Sequence, residues 1–375
     1  MISAGVNPRS GAPRSVRSRP PPQITETMDD GEKMHAMKNV MRASATGTAR
    51  YHARHAASVS ADHVRTLGDL SLSSVGLGSY LAPPDDATDA RYEAAVARSL
   101  ALGANVVDAA IVYRNQRSER AIGRALRTAA QAGIARDEVV VATKAGFLGF
   151  DGERPADPRA YFQKTIVDAG LAGWDEIAAG CHCLAPRFLA DQLARSRANL
   201  GVETIDIYYL HNPETQLDEL DRPTFLRRMR AAFEVLERAR ADGAIARYGL
   251  ATWFGFREPP GARAHLDLEE LVALAREVGG DRHGLEVVQL PLNRTMPEAA
   301  EAPTQRGRSL LAAARDLGLY VMSSASIMQG KLAPDPAAAR AALEWTRTRP
   351  GLGTALVGTS RAEHVEVNSG VFRRA

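Results

Sequence analysis

Cysteine is almost missing from this 375-residue chain, which holds only Cys181 and Cys183. They stand too close for an ordinary bridge and are too few for a disulfide framework, so the disulfide-stapled secreted class is excluded and a reducing, cytoplasmic setting fits. No run of about 18 apolar residues occurs, and the N-terminus lacks the apolar core of a secretory signal, so no membrane association is expected. The Gly-x-Gly-x-x-Gly turn of an open dinucleotide-binding sheet is also lacking. Gly76-Leu77-Gly78-Ser79-Tyr80-Leu81 begins that pattern and does not complete it. Nor does the body of the chain carry an excess of one charge. Of 47 Lys/Arg and 44 Asp/Glu in the whole chain, residues 1–66 hold 10 and 5, leaving 37 and 39 for the rest. The basic balance therefore belongs to the N-terminal segment, and a nucleic-acid partner is not expected.

That segment, residues 1–64, contains Arg9, Arg14, Arg17, Arg19 and three consecutive prolines, Pro20 to Pro22, with much Ser, Gly and Ala. Without apolar periodicity it cannot offset the entropy of ordering, so a disordered basic tail is expected. Its acid-free, Arg-rich start has some transit-peptide character, yet three prolines in a row break any amphipathic helix. A natural start at Met34, Met37 or Met41 would make the upstream residues a gene-call extension. Residues 65–375 are expected to form one domain.

From Val75 onward, short apolar runs alternate eight times with longer amphipathic stretches, the signature of parallel βα units. Eight repeats predict an α/β fold closed as a (β/α)8 TIM barrel. The expected strands are Ser74–Leu77, Asn105–Ala109, Val139–Lys144, Ile205–His211, Tyr248–Ala251, Val287–Leu290, Leu319–Ser323 and Ala355–Gly358. Helices are expected at Asp89–Leu102, Pro223–Asp242 and Gly307–Leu317, each followed closely by a glycine that can end it.

Catalytic groups of such barrels project from the C-terminal ends of strands. Asp108 ends the second expected strand, Tyr113 follows it, Lys144 ends the third and His211 the fourth. Each alone reads as an ordinary cap, core or surface residue. Together they form the set that carbonyl reduction requires. Hydride addition creates an alkoxide, which needs an acid at the oxygen, and a phenol near pKa 10 serves better with a cation beside it. The expected roles are Tyr113 as general acid, Lys144 as the cation that lowers its pKa, Asp108 as the partner that keeps Lys144 charged, and His211 as the group that orients the carbonyl.

With these residues in place, the chain resembles the aldo-keto reductase family from about Val64 to Asn368. The matching segments include Ser74-Val75-Gly76-Leu77-Gly78-Ser79, Asn105-Val106-Val107-Asp108-Ala109-Ala110 with Tyr113, and Val141-Ala142-Thr143-Lys144. Others are Ile205-Asp206-Ile207-Tyr208-Tyr209-Leu210-His211-Asn212-Pro213, Val288-Gln289 with Asn293, and Val357-Gly358 leading to Asn368. The resemblance implies an NAD(P)H-dependent oxidoreductase acting on an aldehyde, ketone or aldose, with the coenzyme extended across the barrel mouth and all four catalytic positions intact. It implies no metal.

The cofactor positions it implies are Thr252, Gln289, Ser324, Gly358, Thr359, Ser360, Arg361, His364 and Asn368. Gln289 matches the residue that bonds the nicotinamide carboxamide, whereas Ala251-Thr252 replaces the usual Ser-Asn pair. Ser324 stands where the family stacks a tyrosine on the nicotinamide, leaving Trp253 or Phe254 as substitute rings. Thr359, Ser360 and Arg361 can meet a phosphate at a helix N-terminus, which favours NADP(H) over NAD(H). Tyr80, Trp253 and Phe254 are the expected substrate-facing aromatics. The chain's end at Ala375, soon after Asn368, predicts an open mouth. The departures at Ala251 and Ser324 also admit a second class of function, a nicotinamide-binding redox sensor or partner-binding subunit with little turnover. Cys181-His182-Cys183 reads as a loop before the third barrel helix, because adjacent ligands rarely close a tetrahedral metal site. Phe147 to Pro186 is long for a βα loop and is expected at the pocket. The expected partner is a small carbonyl compound, and the sequence specifies no oligomeric state.

Overall fold

Order begins earlier than the composition predicts. A computed structural model of the protein describes residues 41–374, so the expected disorder of residues 1–40 lies outside the described residues. Within residues 45–64 that expectation is corrected. Ala45–His55 is a helix, α1, whose N-cap Ser44 accepts from the Gly47 amide at 2.9 Å. Apolar periodicity misses it because its attachments are polar. Tyr51 Oη donates to the Leu100 carbonyl at 2.6 Å, and Arg50 and Arg54 both bond the buried Glu138 carboxylate. Gly47 permits the close approach, since a Cβ there would lie 2.2 Å from the Asp137 carbonyl oxygen.

An antiparallel hairpin follows, β1 (Val64–Leu67) and β2 (Leu70–Ser73), turning at Gly68 with φ +58°. Its Leu67, Leu70 and Leu72 pack against Val106, Val140, Ile207, Val287 and Tyr320, so the hairpin stoppers the N-terminal end of the barrel. Burial of each such leucine stabilises by roughly 1.5–3 kcal/mol.

The barrel strands are β3 (Val75–Gly78), β4 (Val106–Asp108), β5 (Val140–Ala145), β8 (Ile205–His211), β9 (Ile245–Ala251), β10 (Leu285–Pro291), β11 (Tyr320–Ser324) and β12 (Thr354–Gly358). All neighbouring pairs are parallel, and β12 pairs with β3 to close the ring. The short hairpin β6 (Ile177–Ala178) and β7 (His182–Cys183) stands apart, in the loop after β5. The expected (β/α)8 barrel is therefore present, with strand ends shifted by a few residues. The largest shift is in β9, which starts at Ile245 rather than Tyr248. Arg247 interrupts its apolar run and faces Glu286 at 3.0 Å.

Helices cover the barrel. Asp86–Ala101 is capped by Asp85, whose Oδ1 accepts from the Thr88 amide at 2.7 Å. Arg222–Ala241 lies one residue from the expected span. Leu310–Asp316 is shorter than expected because Gly307 has φ +82° and Ser309 supplies the cap. Among the described residues no helix is long and apolar enough to cross a membrane.

His63 joins hairpin, barrel and C-terminal segment. Its ring stacks on Phe372 at 3.8 Å, Nε2 donates to the Gly103 carbonyl and Nδ1 accepts from Ser74 Oγ, both at 2.9 Å. Burial, the largest cause, pushes its pKa down to about 3, and burial likewise takes His52 on α1 down to about 4. A histidine neutral when folded takes up its proton on unfolding below about pH 6.5, so its contribution is full above that pH and declines as pH falls toward the folded value. Urea denaturation at pH 7 and pH 5 should show a loss of roughly 2 kcal/mol from His63. His63→Gln should lose that much less over the same interval, and equal losses in the two proteins would refute the assignment.

Candidate active site

A buried ion pair lies beneath the C-terminal mouth. Lys144, inward-facing on β5, donates through Nζ to Asp108 Oδ1 on β4 at 2.5 Å and to the Ala109 carbonyl at 2.7 Å. Gln289 on β10 donates through Nε2 to the second carboxylate oxygen, Oδ2, at 3.0 Å. Burial raises the Asp108 pKa and lowers that of Lys144, while their mutual attraction opposes both shifts.

Tyr113 and His211 stand above this pair. The Tyr113 ring is 5.0 Å from Lys144 Nζ, and it meets the rings of Tyr80 at 5.0 Å and His211 at 5.6 Å, both edge to face. Desolvation, reinforced by the Asp108 charge, raises the phenol pKa well above 10. The net lowering expected from Lys144 is not seen, because burial outweighs the pull of an ammonium 5.0 Å from the ring. The ammonium is engaged by Asp108 and a carbonyl, and the ring's surroundings disfavour a phenolate. His211 is held well below its ordinary pKa, first by burial and then by Lys144 and His182, so its imidazole is neutral.

These groups open onto a cavity of about 490 Å³. Its walls include the expected Tyr80, Asp108, Tyr113, His211, Thr252, Trp253, Gln289, Ser324 and Gly358. Lys144 lies below the surface and acts from underneath. Phe254 is the exception, being 50% exposed and absent from the walls, so the expectation that it faces the cavity is corrected, whereas Trp253 does line it. A second trough of about 360 Å³ shares Leu81, Ile327, Gln329 and Gly358 with the first, and it leads to Thr359, Ser360, Arg361, His364 and Asn368. The two together give the extended groove that a dinucleotide requires. A polar ligand group fits at Thr252, whose Oγ1 is buried with no hydrogen-bond partner among the described residues.

The model of the Aldo/keto reductase family matches residues 74–254. Over that stretch, just under half of its length, the chain is similar to this family. It is similar to a D-threo-aldose 1-dehydrogenase from a Pseudomonas species, 30% identical over 40% of each chain. An aldo-keto reductase from Mycobacterium sp. (strain KMS) is 27% identical over 56% of this chain and 54% of its own length. These matches span about half or less of the length of those relatives. In fold, the chain resembles the aldo/keto reductase from Klebsiella pneumoniae solved in complex with NADP and acetate. There the TM-score is 0.54 at 20% identity, covering 83% of this chain and 89% of that one.

Family resemblance and strand ends do not reveal how the set is braced. Immediately after Tyr113, the chain makes a left-handed turn at Arg114, Asn115 and Gln116, with φ of 49°, 55° and 69°. The buried Arg114 guanidinium donates to the Pro83 carbonyl and to Asp89 Oδ1, and it lies 5.1 Å from the Tyr92 ring centre. It thereby ties the Tyr113 loop to the segment that carries Tyr80 and Leu81. Below His211, His182 Nε2 donates to the His211 carbonyl at 2.7 Å, and its Nδ1 accepts from Gln216 Nε2 at 2.9 Å. Gln216 Oε1 in turn accepts from Arg228 at 2.7 Å. Both ring nitrogens of His182 are therefore engaged within the protein. Phe147, edge-on to both histidines, lines the cavity, but the rest of the loop expected at the pocket, with Tyr161, Phe162 and Trp174, does not, and Phe162 and Trp174 pack in a separate cluster. The position of Phe147 directly after β5 was the available signal. Asn212, Ile327 and Gln329 also line the walls, without a pattern in the sequence to mark them.

Arg114→Ala should cost about 3 kcal/mol, the low end for breaking a buried pair, because Asp89 keeps Arg117 at 2.9 Å. Urea denaturation measures it; a loss below about 1 kcal/mol would show that the staple contributes little.

Proposed function

We propose that the protein is an NADP(H)-dependent oxidoreductase that reduces an aldehyde, ketone or aldose carbonyl, with Tyr113 as general acid. One observation carries this reading: the Asp108–Lys144 pair, the Tyr113 phenol and the neutral His211 imidazole converge on a single cavity. Thr252, Gln289 and Ser324 would hold the nicotinamide end of a coenzyme. Gly358, Thr359, Ser360, Arg361, His364 and Asn368 would hold its far end, and Trp253 replaces the stacking ring lost at Ser324. When bound, the coenzyme supplies the hydride.

The remaining chemistry belongs to the side chains. His211, being neutral, donates a hydrogen bond to the carbonyl oxygen without moving a charge into the cavity. Tyr113 gives its proton to the oxygen as alkoxide character develops. A phenol pushed well above 10 is fully protonated at neutral pH, and a still more basic alkoxide takes that proton readily. Lys144, 5.0 Å from the ring, then stabilises the phenolate left behind, and Asp108 holds Lys144 in place. The named aldose dehydrogenase and the NADP complex among the relatives support the carbonyl class and the coenzyme.

Tyr113→Phe should lower kcat by about 10²–10⁴ on any carbonyl turned over, while NADPH affinity stays within about twofold. A phenylalanine variant with full activity would overturn the acid assignment. Tight NADPH binding without turnover across aldehydes, ketones and aldoses would instead favour a redox-sensing or partner-binding role. Arg361→Ala should weaken NADPH about tenfold in a fluorescence titration and leave NADH unchanged, since one charge-assisted contact to the 2′-phosphate would be lost. Equal weakening of both coenzymes would remove Arg361 from that role.

A further inference from the structure

Three consecutive backbone amides, those of Trp253, Phe254 and Gly255, donate to one oxygen of Glu214 at 2.7, 2.9 and 3.2 Å. Glu214 stands three residues beyond His211, in the turn Pro213–Asp218 that follows β8, and it is 3% exposed. Its other oxygen, Oε2, is buried with no hydrogen-bond partner among the described residues. An idle buried carboxylate oxygen is costly, so a side chain needed only for filling space would be better apolar at this position. The three amides belong to an irregular segment outside helix and strand, and without the carboxylate they would lose these acceptors.

The segment is gripped at both ends as well. The Thr252 amide donates to the Gln289 carbonyl at 2.8 Å, and Arg257 donates to the Trp253 carbonyl at 3.0 Å while pairing with Glu298. At Gly255 a Cβ would lie 2.7 Å from Leu266 Cδ1 and 3.4 Å from Glu214 Cδ, so the backbone sits directly on the carboxylate. The turn after the strand of His211 thus holds the loop that supplies Trp253 to the cavity.

We propose that Glu214 is a positioning residue, a three-amide clamp that fixes Trp253 as a cavity wall and so sets how firmly a carbonyl compound is held against Tyr113 and His211. The part concerning the carbonyl rests on the function proposed above; the clamp itself does not. Glu214→Ala removes the acceptor, and Glu214→Asp withdraws it by a methylene. Glu214→Gln keeps a carbonyl oxygen in the same place.

The test uses the full chain with Trp174 and Trp345 replaced by Phe, which leaves Trp253 as the single indole. Acrylamide quenching should rise about twofold or more in the Ala and Asp variants and stay near the parent value in the Gln variant, because the amides regain an acceptor there. KM for the carbonyl should rise about tenfold in the first two, with kcat changed less than about threefold, as expected for lost positioning of a bound substrate. If the Ala variant does not fold, the Asp variant carries the comparison. Unchanged quenching and KM in the Ala and Asp variants of a protein that turns over a carbonyl would overturn the clamp. Quenching needs no substrate, so loosened Trp253 in a protein that reduces no carbonyl would sustain the clamp and sink the proposed reaction.

Discussion

The Lys144–Asp108 pair is the constraint around which the catalytic end of the barrel is arranged. Two opposite charges have been taken out of water, and each is tolerated only because the other, a carbonyl and Gln289 complete its coordination. That requirement fixes the ends of β4, β5 and β10 relative to one another. Tyr113 and His211 are then placed above a charge that cannot wander. The same burial that strains the pair keeps the phenol protonated and the imidazole neutral, so the electrostatic state of all four groups follows from one desolvated site.

Around that centre, the supports are backbone contacts made by side chains from neighbouring loops. Arg114 reaches the Pro83 carbonyl, His182 the His211 carbonyl, and Glu214 the amides after β9. Each joins the ends of two different strands. Loops at a barrel mouth have few main-chain partners of their own, and buried polar side chains supply them.

The sequence made the barrel and the four converging residues legible because both depend on local rules, namely apolar runs of strand length and polar residues at the ends of those runs. Helix α1 escaped because Tyr51, Arg50 and Arg54 attach it through polar groups rather than an apolar stripe. Phe254 was misassigned for a related reason. Adjacent residues in an irregular loop have no fixed periodicity, so the order of residues does not say which of Trp253 and Phe254 turns inward, and the contact that holds both amides, Glu214, lies 39 and 40 residues away in the chain. The direction of the Tyr113 shift was missed because a neighbouring cation is visible in the order of residues, whereas the desolvation that outweighs it is not.

The leucine stopper at the base of the barrel has a further effect on everything that happens at the top. With its base plugged and its interior packed, the barrel offers a small molecule the mouth alone, past Tyr80, Phe147 and Trp253.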